Sequence, residues 1–294
     1  MTLDIAWPSR EKKDRARETV EYFNPKAKDY DKTDEQSYWV FSDRLLWRLL
    51  NDHILSDLAK IKPSFSLLDA GCGTARWSSK ILEAYPQSSA TLLDITPNML
   101  EVSKQKLESM GLSSRAVLKQ LDLNDLEGFP LNPHDLAICF HNVLSFVVDP
   151  AAVIRSLVNK INGGGTICLV IPNLFHAVSF SASLGRMIEV KRAMKSCAVK
   201  FTDEVPEMWV FSPDKIKKIF ASAGVLDCSV FGFPVTVYPQ FEETQIVGNS
   251  SNNSKLFAND AAVQTLFETE LVLSNQQEAA ARGNNLLVIA RKAT

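Results

Sequence analysis

Two acids and two glycines in the first third of the chain have the types and spacing of a small-molecule binding site. The segment LLDAGCGTARWS, from Leu67 to Ser78, has the pattern of a buried strand that ends near Asp69, turns sharply through Gly71 and Gly73, and continues as a helix. Glycine has no Cβ, so its backbone can approach a ligand closely. In a doubly wound sheet such a turn lies at the carboxyl edge of the strands, where ligand crevices form.

A further acid narrows the class of ligand. The strand-like segment ATLLD ends in Asp94, which follows Gly73 by 21 residues. This is about the spacing at which an acidic side chain receives the hydroxyls of a ribose. The dinucleotide fingerprint needs a third glycine where this chain has Arg76, so NAD and FAD are disfavoured. The pattern therefore indicates an adenosyl ligand without a pyrophosphate.

The order of these motifs resembles that of the class I S-adenosylmethionine-dependent methyltransferases. LDAGCGTA is similar to their first motif, with Ala75 where a glycine is usual, and LLDITPNMLEVSKQK is similar to the segment that follows. LDLNDL, HDLAICFHNVLSFVVDP and INGGGTICLVIPN match the later strands, so the resemblance runs from about Ser66 to Asn173. It implies S-adenosylmethionine as the cofactor, no metal, and attack on the sulfonium methyl group by a nucleophile held in line.

The resemblance implies an α/β, Rossmann-like fold. Its sheet has seven mostly parallel strands in the order 3-2-1-4-5-7-6, with helices on both faces. The alternation of strand and helix patterns up to residue 172 agrees with a parallel sheet. We predict an N-terminal helical cap over residues 1–62 and a cofactor-binding domain over residues 63–294, with a helical insertion near residues 174–211 as a lid. The polar segment at residues 24–37 is either a connector or a flap over the cofactor.

The residues expected to bind the cofactor follow the ends of the predicted strands. They are Asp69, Gly71, Cys72, Gly73, Asp94, Ile95, Met99, Asp122, Leu123 and His141. The resemblance assigns Asp122 to the adenine amino group, with the Leu123 backbone beside it. Asp69 is an alternative partner for the amides of the glycine turn. Arg76 is interpreted as a solvated surface residue or as a partner of the methionine carboxylate.

Three residues near the fourth and fifth strands are candidates for catalysis. His141 is either a base near the methyl group or contacts the methionine amino group through its backbone carbonyl, and we prefer the backbone role. Asn142 either binds substrate or caps the next helix. His176 is a candidate catalyst or a packing residue.

The pocket for the methyl acceptor is expected to combine the cap with the insertion. Tyr30, Asn173 and Trp209 are assigned to it. Arg186 and Arg192 of the insertion are candidate partners for an anionic group of the acceptor.

Composition restricts the partners. The chain has 294 residues, a formal net charge of -2 and no strongly basic field, which disfavours a nucleic-acid partner. No run of 18 apolar residues suggests a membrane span, and the first residues lack the apolar core of a signal peptide, so a cytoplasmic location is expected. The five scattered cysteines lack metal-ligand spacing and are expected to be reduced. The oligomeric state stays open.

Several activities agree with these motifs. The first is methylation of an oxygen or nitrogen of a small metabolite. The second is tRNA modification, because FETELVLSNQQEAAARGNNLLVIARK loosely resembles the tRNA carboxymethyl-uridine methyltransferases. The third is cyclisation of S-adenosylmethionine to azetidine-2-carboxylate and methylthioadenosine, with His141 beside the reacting amine. A cofactor-binding regulatory subunit is the fourth.

Overall fold

The computed structural model describes residues 12–239 and 254–294. The amino-terminal residues used to argue against a signal peptide lie partly outside this range. The described chain begins with three helices, α1 (Lys12–Phe23), α2 (Ser37–Leu50) and α3 (Ser56–Ile61). A 3-10 segment, Asn24–Glu35, joins the first two, and a single π-helical turn, Asn51–Leu55, joins the last two.

A seven-stranded sheet forms the centre of the molecule. In chain order the strands of the described residues are β1 (Ser66–Ala70), β2 (Ser89–Asp94), β3 (Ala116–Gln120), β4 (His134–Cys139), β5 (Ile161–Pro172), β6 (Ala198–Val199), β7 (Met208–Trp209), β8 (Asp227–Phe233) and β9 (Asn285–Arg291). The main sheet has the order β3-β2-β1-β4-β5-β9-β8, while β6 and β7 pair separately. Counted within the main sheet, this is the predicted order 3-2-1-4-5-7-6. Strands β1 to β5 are parallel, and β9 is antiparallel to both of its neighbours.

The remaining helices cover the sheet and form the insertion. They are α4 (Arg76–Ala84), α5 (Pro97–Ser109), α6 (Pro150–Asn159), α7 (Leu174–Ser183), α8 (Met187–Ser196), α9 (Pro213–Ser222), α10 (Ser254–Phe257) and α11 (Asp260–Ser274). The predicted helical insertion is helical only in α7 and α8, because the chain then forms the β6–β7 pair. Within the two described ranges, none of the helices combines the length and the apolar character needed to span a lipid bilayer.

Both faces of the sheet are buried, as expected for parallel strands covered by helices. Successive strand residues point to opposite faces, so Leu67 and Leu92 join one apolar cluster while Leu68 and Leu93 join the other. The apolar side of α2, including Leu49, packs into the first cluster. Helix α2 is therefore part of the core of the protein.

Candidate functional site

The glycine turn after β1 follows an unusual backbone path. Gly71 has φ +91°, and a Cβ there would overlap the side chain of Val143. Gly73 has φ +52°, and a Cβ there would meet only open space. Ala75 also adopts the left-handed conformation, with φ +58°, at the position where the resembling family usually has glycine. The turn thus has three left-handed residues in alternate positions, two of which carry no side chain.

Asp94 fastens this turn to the end of β2. Its Oδ2 accepts a hydrogen bond from the Gly73 amide at 2.8 Å, and its Oδ1 accepts one from the Thr96 amide at 2.8 Å. Burial raises the pKa of Asp94, although these hydrogen bonds oppose the shift. The interpretation that Asp69 holds the amides of the turn was wrong. Asp69 instead accepts a hydrogen bond from the Ser78 hydroxyl, and burial raises its pKa to about 7.

A first cavity, with about 950 Å³ of empty space that is partly open to solvent, lies over the glycine turn. All ten residues predicted to bind the cofactor line it: Asp69, Gly71, Cys72, Gly73, Asp94, Ile95, Met99, Asp122, Leu123 and His141. Asp122 caps the short helical turn Leu123–Asp125 by accepting hydrogen bonds from Asn124. Whether these residues bind a cofactor stays a prediction, but the structure brings them together.

The chemistry of the first cavity fits a cationic nucleoside. Three carboxyl side chains, those of Asp69, Asp94 and Asp122, line the cavity together with apolar side chains that include Met99 and Leu123. Carboxylates accept hydrogen bonds from hydroxyl and amino groups, and their charge favours a nearby cation. The open space beside Gly73 leaves the backbone accessible.

The segment Asn24–Glu35 lies over the glycine turn, so it is more than a connector. The carboxylate of Asp31 accepts hydrogen bonds from the Thr74 hydroxyl at 2.6 Å and from Nζ of Lys106 at 2.6 Å. Asn24 makes two further hydrogen bonds with Asn98, at the start of α5. Together with Phe23 and Tyr30, this segment forms the roof of the first cavity.

A second cavity, with about 970 Å³ of empty space, adjoins the first. Five residues line both cavities and mark the junction between them: Phe23, Tyr30, Arg76, His141 and Phe146. The other residues of the second cavity are mainly aromatic, apolar or amide-bearing: Tyr22, Thr33, Trp39, Asn142, Pro172, His176, Phe201, Val205, Met208, Pro239, Asn284 and Asn285. The lining of the junction is thus shared by the N-terminal helices, the glycine turn and the loop after β4.

His141 lies at the junction in a left-handed conformation, with φ +49°. Its Nε2 accepts a hydrogen bond from Nε1–H of Trp77 at 2.6 Å and lies 3.7 Å from Oδ1 of Asp43. Burial lowers the pKa of His141, while the nearby Asp43 opposes the shift. The ring is therefore held neutral, with its proton on Nδ1.

Arg76 is buried at the same junction. Its side chain is 15% exposed and forms ion pairs with Asp34 of the roof segment and with Asp43 of α2. The interpretation of Arg76 as a solvated surface residue was wrong. Two carboxylates compensate its charge, so it is not available as an unpaired anion-binding group.

Two of the predicted catalytic residues line only the second cavity. His176 stacks on Phe180 and Tyr238, with ring centroids 5.9 and 5.1 Å away, and burial lowers its pKa to about 4. Asn142 makes no side-chain capping bond to the turn that follows, so the capping interpretation was wrong. Its Oδ1 is buried and has no hydrogen-bond partner among the described residues.

Asn173 and Trp209 were wrongly assigned to the acceptor pocket. Asn173 is completely buried outside both cavities, and its Nδ2 donates hydrogen bonds to three backbone carbonyl oxygens, including that of Gly283 at 2.7 Å. Trp209 is also buried in the core, where Nε1 donates to the Val147 carbonyl oxygen at 2.7 Å. Both side chains stabilise the packing of the loops around the site.

The insertion arginines do not line either cavity. Arg186 donates hydrogen bonds to the Phe201 carbonyl oxygen and to Asp203, while Arg192 pairs with Glu189 and Glu207. The prediction that they pair with an anionic acceptor in the pocket therefore has no geometric support.

Asn284 and Asn285 are among the wall residues that the sequence reasoning missed. They precede and begin β9, whose antiparallel direction places its first residue beside Pro172, at the carboxyl edge of the parallel strands. The signal that could have found them is the pair of asparagines at the start of a final antiparallel strand. Such a strand begins at the edge where the parallel strands end.

Comparisons with known proteins agree with this geometry. A family model described as a methyltransferase domain matches residues 61–224, over half of the chain. The tRNA 5-carboxymethoxyuridine methyltransferase of Escherichia coli K12 is 29% identical over 150 residues, which are 51% of this chain and 55% of that protein. Malonyl-[acyl-carrier protein] O-methyltransferase 1 of Ilyobacter polytropus is 32% identical over 108 residues, which are 36% of this chain and 37% of that protein. The chain thus spans about half or less of the length of these curated relatives.

A solved structure shows the same fold. The structure of Haemonchus contortus phospholethanolamine N-methyltransferase 2, in complex with phosphomonomethylethanolamine and S-adenosylhomocysteine, has a TM-score of 0.58. It covers 95% of this chain and 59% of that chain, at 14% identity. At this identity the likeness concerns the fold alone.

Proposed function

The chain belongs to the family of S-adenosylmethionine-dependent methyltransferase domains, and on this premise we propose that it methylates an oxygen or nitrogen of a small molecule. One observation carries the proposal: two cavities meet at Arg76, His141 and Tyr30. The first contains the glycine turn and three carboxylates, and the second is walled mainly by aromatic side chains. A methyl donor in the first cavity and a methyl acceptor in the second would have their reacting groups at this junction.

The residues of the first cavity support S-adenosylmethionine as its ligand. Asp94 would receive the ribose hydroxyls and Asp122 the adenine amino group, while Met99 and Leu123 would pack against the base. The bound cofactor supplies a methyl group on a positively charged sulfur atom. The carboxylates of Asp94 and Asp122 favour that charge, and the open space beside Gly73 leaves room for the ligand next to the protein backbone.

The residues at the junction would hold the reactants in position and exclude water from the reacting groups. Phe23, Tyr30 and Phe146 enclose the junction with apolar surface, which excludes water from the reacting groups. Trp77 occupies Nε2 of His141, so His141 does not accept a proton through that atom while the bond persists. We assign His141 the role of orienting the reactants. We assign His176 to the wall of the cavity, because its low pKa makes it a weak base.

Two alternative activities have less support. Cyclisation of S-adenosylmethionine requires no acceptor, so it leaves the second cavity without a function. Methylation of tRNA has the support of the Escherichia coli relative. It agrees less well with the net charge of -2.

Product analysis tests the proposal against both alternatives. The purified protein is incubated with S-adenosylmethionine alone, with S-adenosylmethionine and a protein-free metabolite extract, and with S-adenosylmethionine and tRNA that carries unmethylated 5-carboxymethoxyuridine. We expect S-adenosylhomocysteine to form only when the metabolite extract is present. Methylthioadenosine from S-adenosylmethionine alone would identify the cyclase, and S-adenosylhomocysteine with tRNA only would identify a tRNA methyltransferase. Either result overturns the proposal.

A further inference from the structure

We infer that the second cavity selects an uncharged aromatic acceptor with a hydroxyl or amino group, and that Asn142 and Asn285 recognise this polar group. The inference rests on the proposed methyl transfer and names the class of molecule that receives the methyl group. Three features of the cavity support it: a wall of aromatic side chains, an Arg76 guanidinium whose charge is paired with two carboxylates, and two side-chain amides with polar atoms that have no partner among the described residues.

The wall favours a flat, apolar ligand. Tyr22 packs edge-to-face on Phe23 with ring centroids 4.8 Å apart, and Phe23 packs edge-to-face on Phe146 at 5.2 Å. His176 and Trp39 extend the aromatic surface. Aromatic side chains that line a cavity bind a ring by stacking and by edge-to-face contacts, and they bury its apolar surface.

The charge on the wall disfavours an ionised acceptor. Among the described residues that line this cavity, Arg76 is the single Lys, Arg, Asp or Glu. Its guanidinium is already paired with Asp34 and Asp43, so an anionic acceptor would compete with two carboxylates. A cationic acceptor would find no carboxylate in the wall itself. A charge buried without a partner is strongly unfavourable, so a neutral molecule fits best.

Two side-chain amides of the wall have polar atoms without a hydrogen-bond partner among the described residues. Oδ1 of Asn142 is buried without a hydrogen bond. Asn285 is 5% exposed, and its side chain has no hydrogen-bond partner within residues 12–239 and 254–294. The neighbouring Asn284 differs, because its Nδ2 donates to the Tyr38 hydroxyl at 2.8 Å. A buried amide that is left unpaired destabilises the protein, and a ligand that pairs with it gains affinity.

The backbone holds both amides at fixed positions. The backbone N–H of Asn142 donates to the Val170 carbonyl oxygen at 3.0 Å. The backbone of Asn285 pairs with that of Pro172 between strands β5 and β9. Both residues thus flank the carboxyl end of β5, on either side of the same strand. A carboxamide both donates and accepts hydrogen bonds and does not ionise. It therefore suits a neutral hydroxyl or amine.

Binding of four matched probes tests the inference. Calorimetry on the S-adenosylhomocysteine-loaded protein compares 2-naphthol, naphthalene, 2-naphthoate and 2-naphthylmethylammonium. We expect 2-naphthol to bind at least about tenfold more tightly than each of the others, since a buried hydrogen bond to an amide is worth about that factor. Asn142→Gly preserves the left-handed backbone, and Asn285→Leu preserves the branched shape of the side chain. Each should weaken 2-naphthol binding about tenfold and leave naphthalene binding unchanged.

The controls separate this inference from the proposed function. Asn275→Leu, at the end of α11, should leave all affinities unchanged, and each variant should keep the S-adenosylhomocysteine affinity of the wild type. Tighter binding of 2-naphthoate or of the ammonium probe, no binding of any probe, or unchanged 2-naphthol binding in both variants would overturn the inference alone. Failure of the wild type to bind S-adenosylhomocysteine would overturn the proposed function as well.

Discussion

Nε1–H of Trp77 donates a hydrogen bond to Nε2 of His141 at 2.6 Å, which ties α4 to the junction of the two cavities. A donor at Nε2 favours the neutral form of the imidazole. We therefore expect Trp77→Phe to raise the pKa of His141, because the protonated ring would then face Asp43 without that donor. An NMR titration of the His141 imidazole measures the change.

Trp47→Phe is the matched control for this substitution. The Trp47 ring lies 6.4 Å from the Trp77 ring, so its replacement alters aromatic packing in the same region and keeps the hydrogen bond. An equal shift of the His141 pKa in both variants would show that packing, and not the indole N–H, sets the protonation of His141.

Asp94 is expected to support both the glycine turn and the nucleoside. Asp94→Ala removes the acceptor of the Gly73 and Thr96 amides, so we expect a loss of about 1 to 3 kcal/mol in the free energy of unfolding. The affinity for S-adenosylhomocysteine should fall by about 2 to 3 kcal/mol, because charged hydrogen bonds to the ligand are lost. Urea unfolding and calorimetry measure the two effects. Asp125→Ala, at an exposed partner of Lys12, should change neither, and an unchanged affinity in Asp94→Ala would contradict the assignment.

Asp31 is predicted to slow the escape of the ligand from the first cavity. Asp31→Asn removes the ion pair between the roof segment and Lys106, which is worth about 1 kcal/mol at this partly exposed position. We expect release of S-adenosylhomocysteine to be about fivefold faster in stopped-flow experiments. Asp29→Asn is the control, because Asp29 lies on the same segment but pairs with Lys32, three residues away on that segment. Equal release rates in the two variants would show that the ion pair between Asp31 and Lys106 does not slow ligand release.

The placement of the residues around the glycine turn could be predicted because their signals are local in sequence. A strand, a glycine turn and a helix determine where Asp69, Gly71 and Gly73 lie, and the next parallel strand brings Asp94 beside them. The strand order came from the resemblance to a family. The role of Asp94 in holding the turn could not be predicted, because it depends on the exact path of the Gly73 amide.

The acceptor side depends on contacts between distant segments. Asn173 and Trp209 are of residue types common in binding sites. Their side-chain N–H groups instead donate hydrogen bonds to backbone carbonyl oxygens 108 and 62 residues away in sequence. Asn285 enters the site only because β9 pairs between β5 and β8. The β6–β7 pair was missed because each strand has two residues, too few to show a period.

Ala75 is expected to replace the usual glycine without loss of function. Ala75→Gly removes the backbone strain of an alanine in the left-handed conformation, which costs about 1 to 2 kcal/mol. The same substitution removes a buried methyl group and increases the conformational freedom of the unfolded chain, and both of these effects destabilise the protein. We expect the free energy of unfolding to change by less than about 1 kcal/mol and S-adenosylhomocysteine affinity to stay within about twofold. Gly71→Ala should destabilise the protein by more than about 2 kcal/mol, because its Cβ would overlap Val143. Equal effects of the two substitutions would contradict this difference between the positions.

His176 is expected to make the protein sensitive to acid. Its pKa in the folded state is about 4, below the ordinary value of 6.5, so between these values the unfolded chain binds the proton more readily. Stability from this group is therefore complete above about pH 6.5 and falls as the pH decreases towards 4. His176→Phe keeps the stacking on Phe180 and Tyr238 but removes the titration. We expect the free energy of unfolding of this variant to fall by about 2 kcal/mol less than that of the wild type between pH 7 and about pH 4.5. Parallel pH profiles of the two proteins in chemical denaturation would show that the His176 imidazole is not held neutral by burial.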